Sequence, residues 1–399
     1  MNKLIFFFFI ICLFIPGCNS GDNNPSDTNT KERAISLAKE IIIIDTHIDT
    51  PYRLRKSPAD ITQKLSAGNF DLPRAIEGGL NCAFFSIYTD PSLEDKGLSK
   101  MVADSLLDLT EQIVRNHGDK FAFALSPEDV ENNFKQRRFS IALGMENGSP
   151  IEGDLANVKY FYDRGIRYIG LAHSRSNHLA DASFDKKRLW QGLSPFGEEV
   201  IREMNRLGIM IDVSHLSDSA FYDVIRISKA PVIASHSSCR HFTPGWERNI
   251  SDEMIIALAK TGGVVQINFG SSFLREDYRQ NMRGAYPTLR KNKWGWDSKE
   301  AQQFMKEYRE KHNIPLATTK DVADHIDHVV SLVGIDHVGL GSDFDGLGET
   351  LPSDLRDVSM YPNLIEELLK RGYTETDIRK ICGQNLLRVW KEVEKVKSK

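Results

Sequence analysis

The chain has 399 residues, 41% of them hydrophobic and 27% charged, and a formal net charge of -4. That length and apolar content suit a folded α/β protein and exclude a disordered one. The mildly acidic balance offers nothing to hold nucleic acid or an anionic membrane surface, which leaves a small molecule or a peptide as the expected partner.

Met1-Asn2-Lys3 and the apolar run Leu4 to Ile15 have the basic start and compact hydrophobic core of a secretory signal, too short to span a bilayer comfortably. The run ends in Ile15-Pro16-Gly17-Cys18, which resembles a bacterial lipobox. Residues 1–18 are therefore expected to be a lipoprotein signal peptide, with Cys18 lipidated as the new N-terminus; an ordinary cleaved signal with an incidental cysteine is the alternative. This places the protein in a bacterial cell envelope, lipid-anchored outside the cytoplasm. Residues 19–30 are almost all Gly, Asp, Asn, Pro, Ser and Thr, the composition of a flexible tether, and residues 31–399 form the expected folded domain. Of the remaining cysteines, Cys82, Cys239 and Cys382 have no spacing suited to a thiolate zinc site.

From Lys31 onward, short runs rich in Ile, Val, Phe and Tyr alternate with longer stretches of helical periodicity, the pattern of repeated β-α units. Strands are predicted at Ile41 to Thr46, Asn81 to Tyr88, Ser140 to Met145, Arg167 to Ala172, Ile209 to Val213, Pro231 to Ser235, Gly263 to Ile267 and Asp336 to Leu340. Phe121 to Leu125 is a further strand candidate. Helices are predicted at Ser99 to His117, Asp154 to Asp163, Phe196 to Leu207, Ser217 to Ile227 and Ser251 to Lys260, the last two opened by serine caps. The stretch from Ser271 to Thr319 breaks the rhythm just after the seventh strand. The fold class expected is a single α/β (β/α)8 TIM-type barrel with an inserted segment there, which either shapes the site or serves as an oligomer contact, a homodimer being the assembly considered.

Ligand-competent side chains recur where the predicted strands end, the face on which such barrels assemble their sites. His47 and Asp49 follow the first strand two residues apart, so both can reach one metal. Glu146, His215 and His236 each lie just beyond another apolar run. A lone histidine at a strand end is more often structural; four coincidences on one face favour ligands. Three histidines, one Asp and one Glu, without a thiolate, suit a hydrolytic zinc centre. Five ligands exceed what one open tetrahedral zinc uses, whereas a bridging Glu lets two ions share a water that becomes hydroxide near neutral pH.

Taken together, Asp45-Thr46-His47-Ile48-Asp49-Thr50-Pro51, Asp71-Leu72-Pro73, Gly144-Met145-Glu146, Leu171-Ala172-His173-Ser174, Ile211-Asp212-Val213-Ser214-His215, Ser235-His236-Ser237-Ser238, Arg248-Asn249-Ile250 and Gly341-Ser342-Asp343-Phe344-Asp345-Gly346 resemble the membrane (renal) dipeptidase family of zinc peptidases. The resemblance runs from about Ile43 to Trp390. It implies two Zn2+ per chain, one on His47 and Asp49, the other on His215 and His236, with Glu146 between them. It also implies that His173 meets the carbonyl oxygen as it becomes an oxyanion. Arg248 would hold the substrate carboxylate, with Arg240 a nearby rival. Asp343 would meet the amino end and move protons, with Asp345 easily mistaken for it.

The implied reaction is hydrolysis of dipeptides by a metal-bridging hydroxide, including those with a C-terminal D-residue, with Glu146, His173 and Asp343 catalytic. The family usually follows its glutamate with two glycines, while Asn147 and Gly148 stand here, so a shifted substrate preference is expected. Two alternatives remain: another amidohydrolase acting on a cyclic amide or lactone, and a binding lipoprotein that has kept only the barrel. The first would more often carry a His-x-His pair and a modified lysine. The second would show a lost ligand, and all five positions are filled.

Overall fold

The computed structural model describes residue 1, residues 25–295 and residues 298–397. The expected signal peptide after Met1, Cys18 and the first part of the tether lie outside the described residues. The first helix, Pro25–Glu40, takes in residues 25–30 of the expected tether. Proline in a first turn is compatible with a helix start, which composition alone had hidden. Ala34, Leu37, Ala38 and then Ile41 recur at helical spacing and are buried, so this helix docks onto the barrel beside Tyr361–Lys370.

Among the described residues nine strands follow: β1 Ile43–Ile48, β2 Leu80–Tyr88, β3 Phe121–Phe123, β4 Phe139–Glu146, β5 Ile166–Gly170, β6 Met210–Asp212, β7 Val232–Ala234, β8 Val264–Ile267 and β9 Val338–Leu340. Eight of them run parallel in the order β1-β2-β4-β5-β6-β7-β8-β9, and β3 pairs with β4 off that path. The ring is brought together where Ile48 bridges Phe344 and the Asp343 amide donates to the His47 carbonyl at 3.0 Å. The architecture is the expected TIM-type barrel, nearly closed.

Alternation along the strands separates two cores. Ile44, Phe84, Ala142, Tyr168, Met210, Ile233 and Val264 pack together inside the barrel with Leu386, Val389 and Trp390 of the C-terminal helix Asn385–Val396. Their neighbours, including Ala83, Phe85, Ile141, Leu143, Ile211, Val232 and Val265, face the surrounding helices. Trp390 is fully buried, with its ring 5.3 Å from Phe84. Burial of an indole of this size contributes roughly 4–6 kcal/mol at about 25 cal/mol per Å². One end of the barrel is thus plugged, leaving the strands' C-terminal ends to hold polar residues.

The inserted segment folds as short helices, Ser271–Leu274, Glu276–Met282 and Tyr286–Asn292, and a longer one, Lys299–Lys311. Tyr278, Met282, Ala285, Leu289, Ala301, Met305 and Ile314 form a small core of their own. Cys82, Cys239 and Cys382 are buried free thiols. Among the described residues, no helix is long and apolar enough to cross a membrane.

Candidate metal centre

Glu146 ends β4 on the interior side of the strand, the side shared by Ala142 and Gly144. Gly144 is required by close packing, since a Cβ there would stand 2.0 Å from the Tyr168 ring. Four imidazoles converge on the Glu146 carboxylate. The Nε2 atoms of His215, His236 and His173 lie 3.1, 3.4 and 3.6 Å from Oε1, and His47 Nε2 lies 3.4 Å from Oε2. Asp49 Oδ2 is 3.7 Å from His47 Nε2, and Asp343 shares the space near His47 and Asp49. The Nε2 atoms of His215 and His236 face each other at 2.8 Å.

The structure therefore gathers every residue expected at the site, His47, Asp49, Glu146, His173, His215, His236, Arg248 and Asp343, around one point. Arg248 is 2% exposed. It donates from Nη1 to Ser237 Oγ at 2.7 Å and from Nη2 to the His236 carbonyl at 2.9 Å, and Nη2 also sits 3.0 Å from His215 Nε2. Its rival Arg240 is engaged by both oxygens of Asp218 at 2.7 and 2.6 Å. Asp345 accepts from Thr50, Arg53 and the Asn69 amide, while Asp343 accepts from Asn268 Nδ2 at 2.8 Å. The insertion reaches the site edge, because Phe273 lies 5.0 Å beneath the Arg248 guanidinium.

The protonation pattern follows from these neighbours. Burial opposes ionisation of Glu146, but His47 and His173 and the hydrogen bonds of His215 and His236 hold its carboxyl well below the usual range. Burial also disfavours charge on His47; the Tyr168 hydroxyl, Glu146 and Asp49 outweigh it and raise its pKa well above 6.5. His215 and His236 are held well below that value, chiefly by burial, with Arg248 adding to it. His173 is also lowered by burial. Burial, with Asp49 and Glu146 nearby, raises Asp343 well above the usual carboxyl range, and burial brings Arg248 down to about 10.

The donor set fits divalent cations. His47 Nε2 and Asp49 Oδ1 are buried with no hydrogen-bond partner, although buried polar atoms are ordinarily paired. Imidazole nitrogens and carboxylate oxygens turned toward a shared space are a donor set of the kind divalent metals take.

A supporting layer was not singled out from sequence. Tyr168 Oη lies 2.8 Å from His47 Nδ1. Ser235 Oγ donates to Asp212 Oδ2 at 2.6 Å and lies 2.7 Å from His236 Nδ1. With the serine proton on the carboxylate side, His236 Nδ1 donates to Ser235 and Nε2 presents a lone pair to the centre. Asp45 is the counterpart at β1: it accepts from the amides of His47 and Ser342 and from the hydroxyls of Ser342 and Tyr361. The only signal in the sequence was that Asp45 and Asp212 precede His47 and His215 by two and three residues.

Backbone strain gathers here as well. Asn147, His215, Asp343 and Asp345 have φ of 73°, 69°, 64° and 66°, a region costly for non-glycine residues, of order 1–3 kcal/mol each. Asn147 tolerates it and links three segments. Its Nδ2 donates to the Thr89 carbonyl at 2.9 Å, and its Oδ1 accepts from Asn177 Nδ2 at 3.1 Å and from the Ser149 amide at 3.3 Å.

The family described as membrane dipeptidase (Peptidase family M19) matches residues 31–399. An uncharacterized dipeptidase of Schizosaccharomyces pombe is 34% identical over 388 residues, 92% of this chain and 84% of its own. The crystal structure of the probable dipeptidase PvdM from Pseudomonas aeruginosa has a TM-score of 0.80 at 29% identity, covering 92% of this chain and 99% of that one. A metallo peptidase from Rhodobacter sphaeroides, liganded with a phosphinate mimic of the dipeptide L-Ala-D-Ala, has a TM-score of 0.73 at 29% identity, covering 88% and 99%.

Proposed function

Since the chain belongs to the membrane dipeptidase family of metallopeptidases, and is on that basis a metal-dependent dipeptidase, we propose that it uses two zinc ions held by His47, Asp49, Glu146, His215 and His236. The observation that carries the reading is the convergence of four imidazoles on Glu146 beside partnerless His47 Nε2 and Asp49 Oδ1. Glu146 turns Oε1 toward His215 and His236 and Oε2 toward His47, so its carboxylate could be shared by two ions. When bound, the metals would lower the pKa of a shared water toward neutrality and polarise the scissile carbonyl.

The protein groups supply orientation and proton control. Arg248 is a fixed cation whose Nε lacks a partner, and it receives the C-terminal carboxylate of the dipeptide. Asn268 holds Asp343 Oδ2, leaving Oδ1 for the substrate's amino end. The same carboxylate would take up the proton that the attacking water loses and pass it to the leaving amine as the peptide C–N bond breaks. His173, neutral through burial, donates from Nε2 to the carbonyl oxygen as negative charge develops on it. Holding both termini excludes longer peptides. The L-Ala-D-Ala mimic bound by the Rhodobacter sphaeroides relative supports acceptance of a C-terminal D-residue.

The motif ending at Cys18 supports a signal peptide and a lipid anchor that hold this activity at the outer face of a bacterial membrane. The reaction is tested by stripping metal with a chelator and restoring zinc while following cleavage of L-Ala-L-Ala. Activity lost and regained with two zinc ions per chain is expected; full activity in metal-free protein contradicts the proposal.

A further inference from the structure

Outside the active site, a second set of metal-type donors converges from three elements. His241 lies in the short turn Arg240–Phe242, Asp252 opens the helix Asp252–Lys260, and His328 belongs to the helix Thr319–Val333. Each offers one ligand atom, and the three atoms lie within 4.8 Å of one another. His328 Nε2 is 2.8 Å from Asp252 Oδ1. The His241 ring stacks on His328 at 4.3 Å between centroids with 25° between planes.

A surface His–Asp pair alone has an ordinary explanation as a hydrogen bond. The third member does not share it, because His241 makes no side-chain hydrogen bond among the described residues, and its ring packs against Phe242 and His328. His325, the nearest further histidine, is not a donor here. Its Nδ1 accepts from the Cys239 amide at 3.0 Å, and its Nε2 lies 3.1 Å from the Leu274 carbonyl, so both nitrogens are occupied.

We propose that His241, Asp252 and His328 form a peripheral zinc site, separate from the active centre, with a fourth position open to water. Two imidazoles and a carboxylate are a common donor set for zinc. The ion fastens the turn after β7 to the helix Thr319–Val333. That turn already packs there through Phe242, whose ring is 4.3 Å from His325. It leads directly into the segment bearing Arg248, so the site steadies the loop beside the active centre without contributing a group to it.

The test is zinc counting on the untagged full chain, equilibrated with buffered free zinc, for wild type, His241→Ala and Asp252→Asn. His241 is exposed and makes no side-chain hydrogen bond among the described residues, so its loss should not disturb folding. Asn at 252 keeps an oxygen for His328 while removing the charge. The expected result is one zinc per chain fewer in each variant, unchanged dipeptide hydrolysis, and a smaller zinc-induced rise in Tm. Equal zinc content in all three proteins overturns the site. Failure of the active-centre proposal would read differently, as absence of the zinc that both variants retain.

Discussion

Replacing Ser235 by alanine isolates the layer beneath the metal ligands. The hydroxyl links Asp212 Oδ2 and His236 Nδ1 at 2.6 and 2.7 Å, and all three residues are 0–1% exposed. No solvent can replace it. The substitution leaves the His236 N–H and one Asp212 oxygen with one partner fewer, a loss of about 1–3 kcal/mol of stability for a group left unsatisfied. It also frees the His236 ring to rotate or change tautomer. Loss of such an outer partner typically lowers metal affinity about 10–100-fold, equivalent to roughly 1.4–2.7 kcal/mol. Competition against a chelator of known affinity reads the second quantity, and thermal unfolding of metal-free protein reads the first. If Ser235→Ala is less stable yet holds metal as tightly as wild type, the hydroxyl is only a packing element and the proposed control of His236 is wrong.

Arg248→Ala should lower kcat/KM for free dipeptides by about 2–5 kcal/mol, at least roughly 30-fold, and remove discrimination against C-terminally amidated dipeptides. Retained discrimination would move the carboxylate contact elsewhere. Asn147→Gly relieves a φ of 73° but removes the contacts to Thr89, Asn177 and Ser149, so a net loss of about 1–3 kcal/mol in stability is expected with metal content unchanged. Metal uptake should release protons at neutral pH. The raised pKa of His47 leaves its ring protonated in metal-free protein, and a ligand must be neutral, so affinity rises with pH until that pKa is passed. Calorimetry in buffers of different ionisation enthalpy measures the release, and identical heats in all buffers would contradict it.

Much of this was legible because a barrel ties chemistry to position. Every predicted barrel strand appears with its ends shifted by a few residues, and Ser217 and Ser251 cap their helices by accepting from Ala220 and Met254. His47, Glu146, His215 and His236 stood out because each follows an apolar run. The orienting partners did not, because they arise from closure of the ring. Asp45 meets Ser342 and Tyr361 across 297 and 316 residues of chain, a relation no local pattern carries. Tyr168 carries no local sign of its role, because the opposite wall supplies its partner His47. The left-handed backbone at His215 and Asp343 was equally hidden, since neither residue type announces it. The choices between Arg248 and Arg240, and between Asp343 and Asp345, needed the hydrogen bonds that hold the rivals away from the centre.

The most direct test of the central claim is hydrolysis by zinc-loaded protein of L-L and L-D dipeptides alongside the matching tripeptide and an N-acetylated dipeptide. The account predicts cleavage of both dipeptides, abolished by chelation, with the tripeptide and the blocked substrate left intact because one end no longer meets Asp343 or Arg248. Intact dipeptides, or a tripeptide cut as readily, would contradict it.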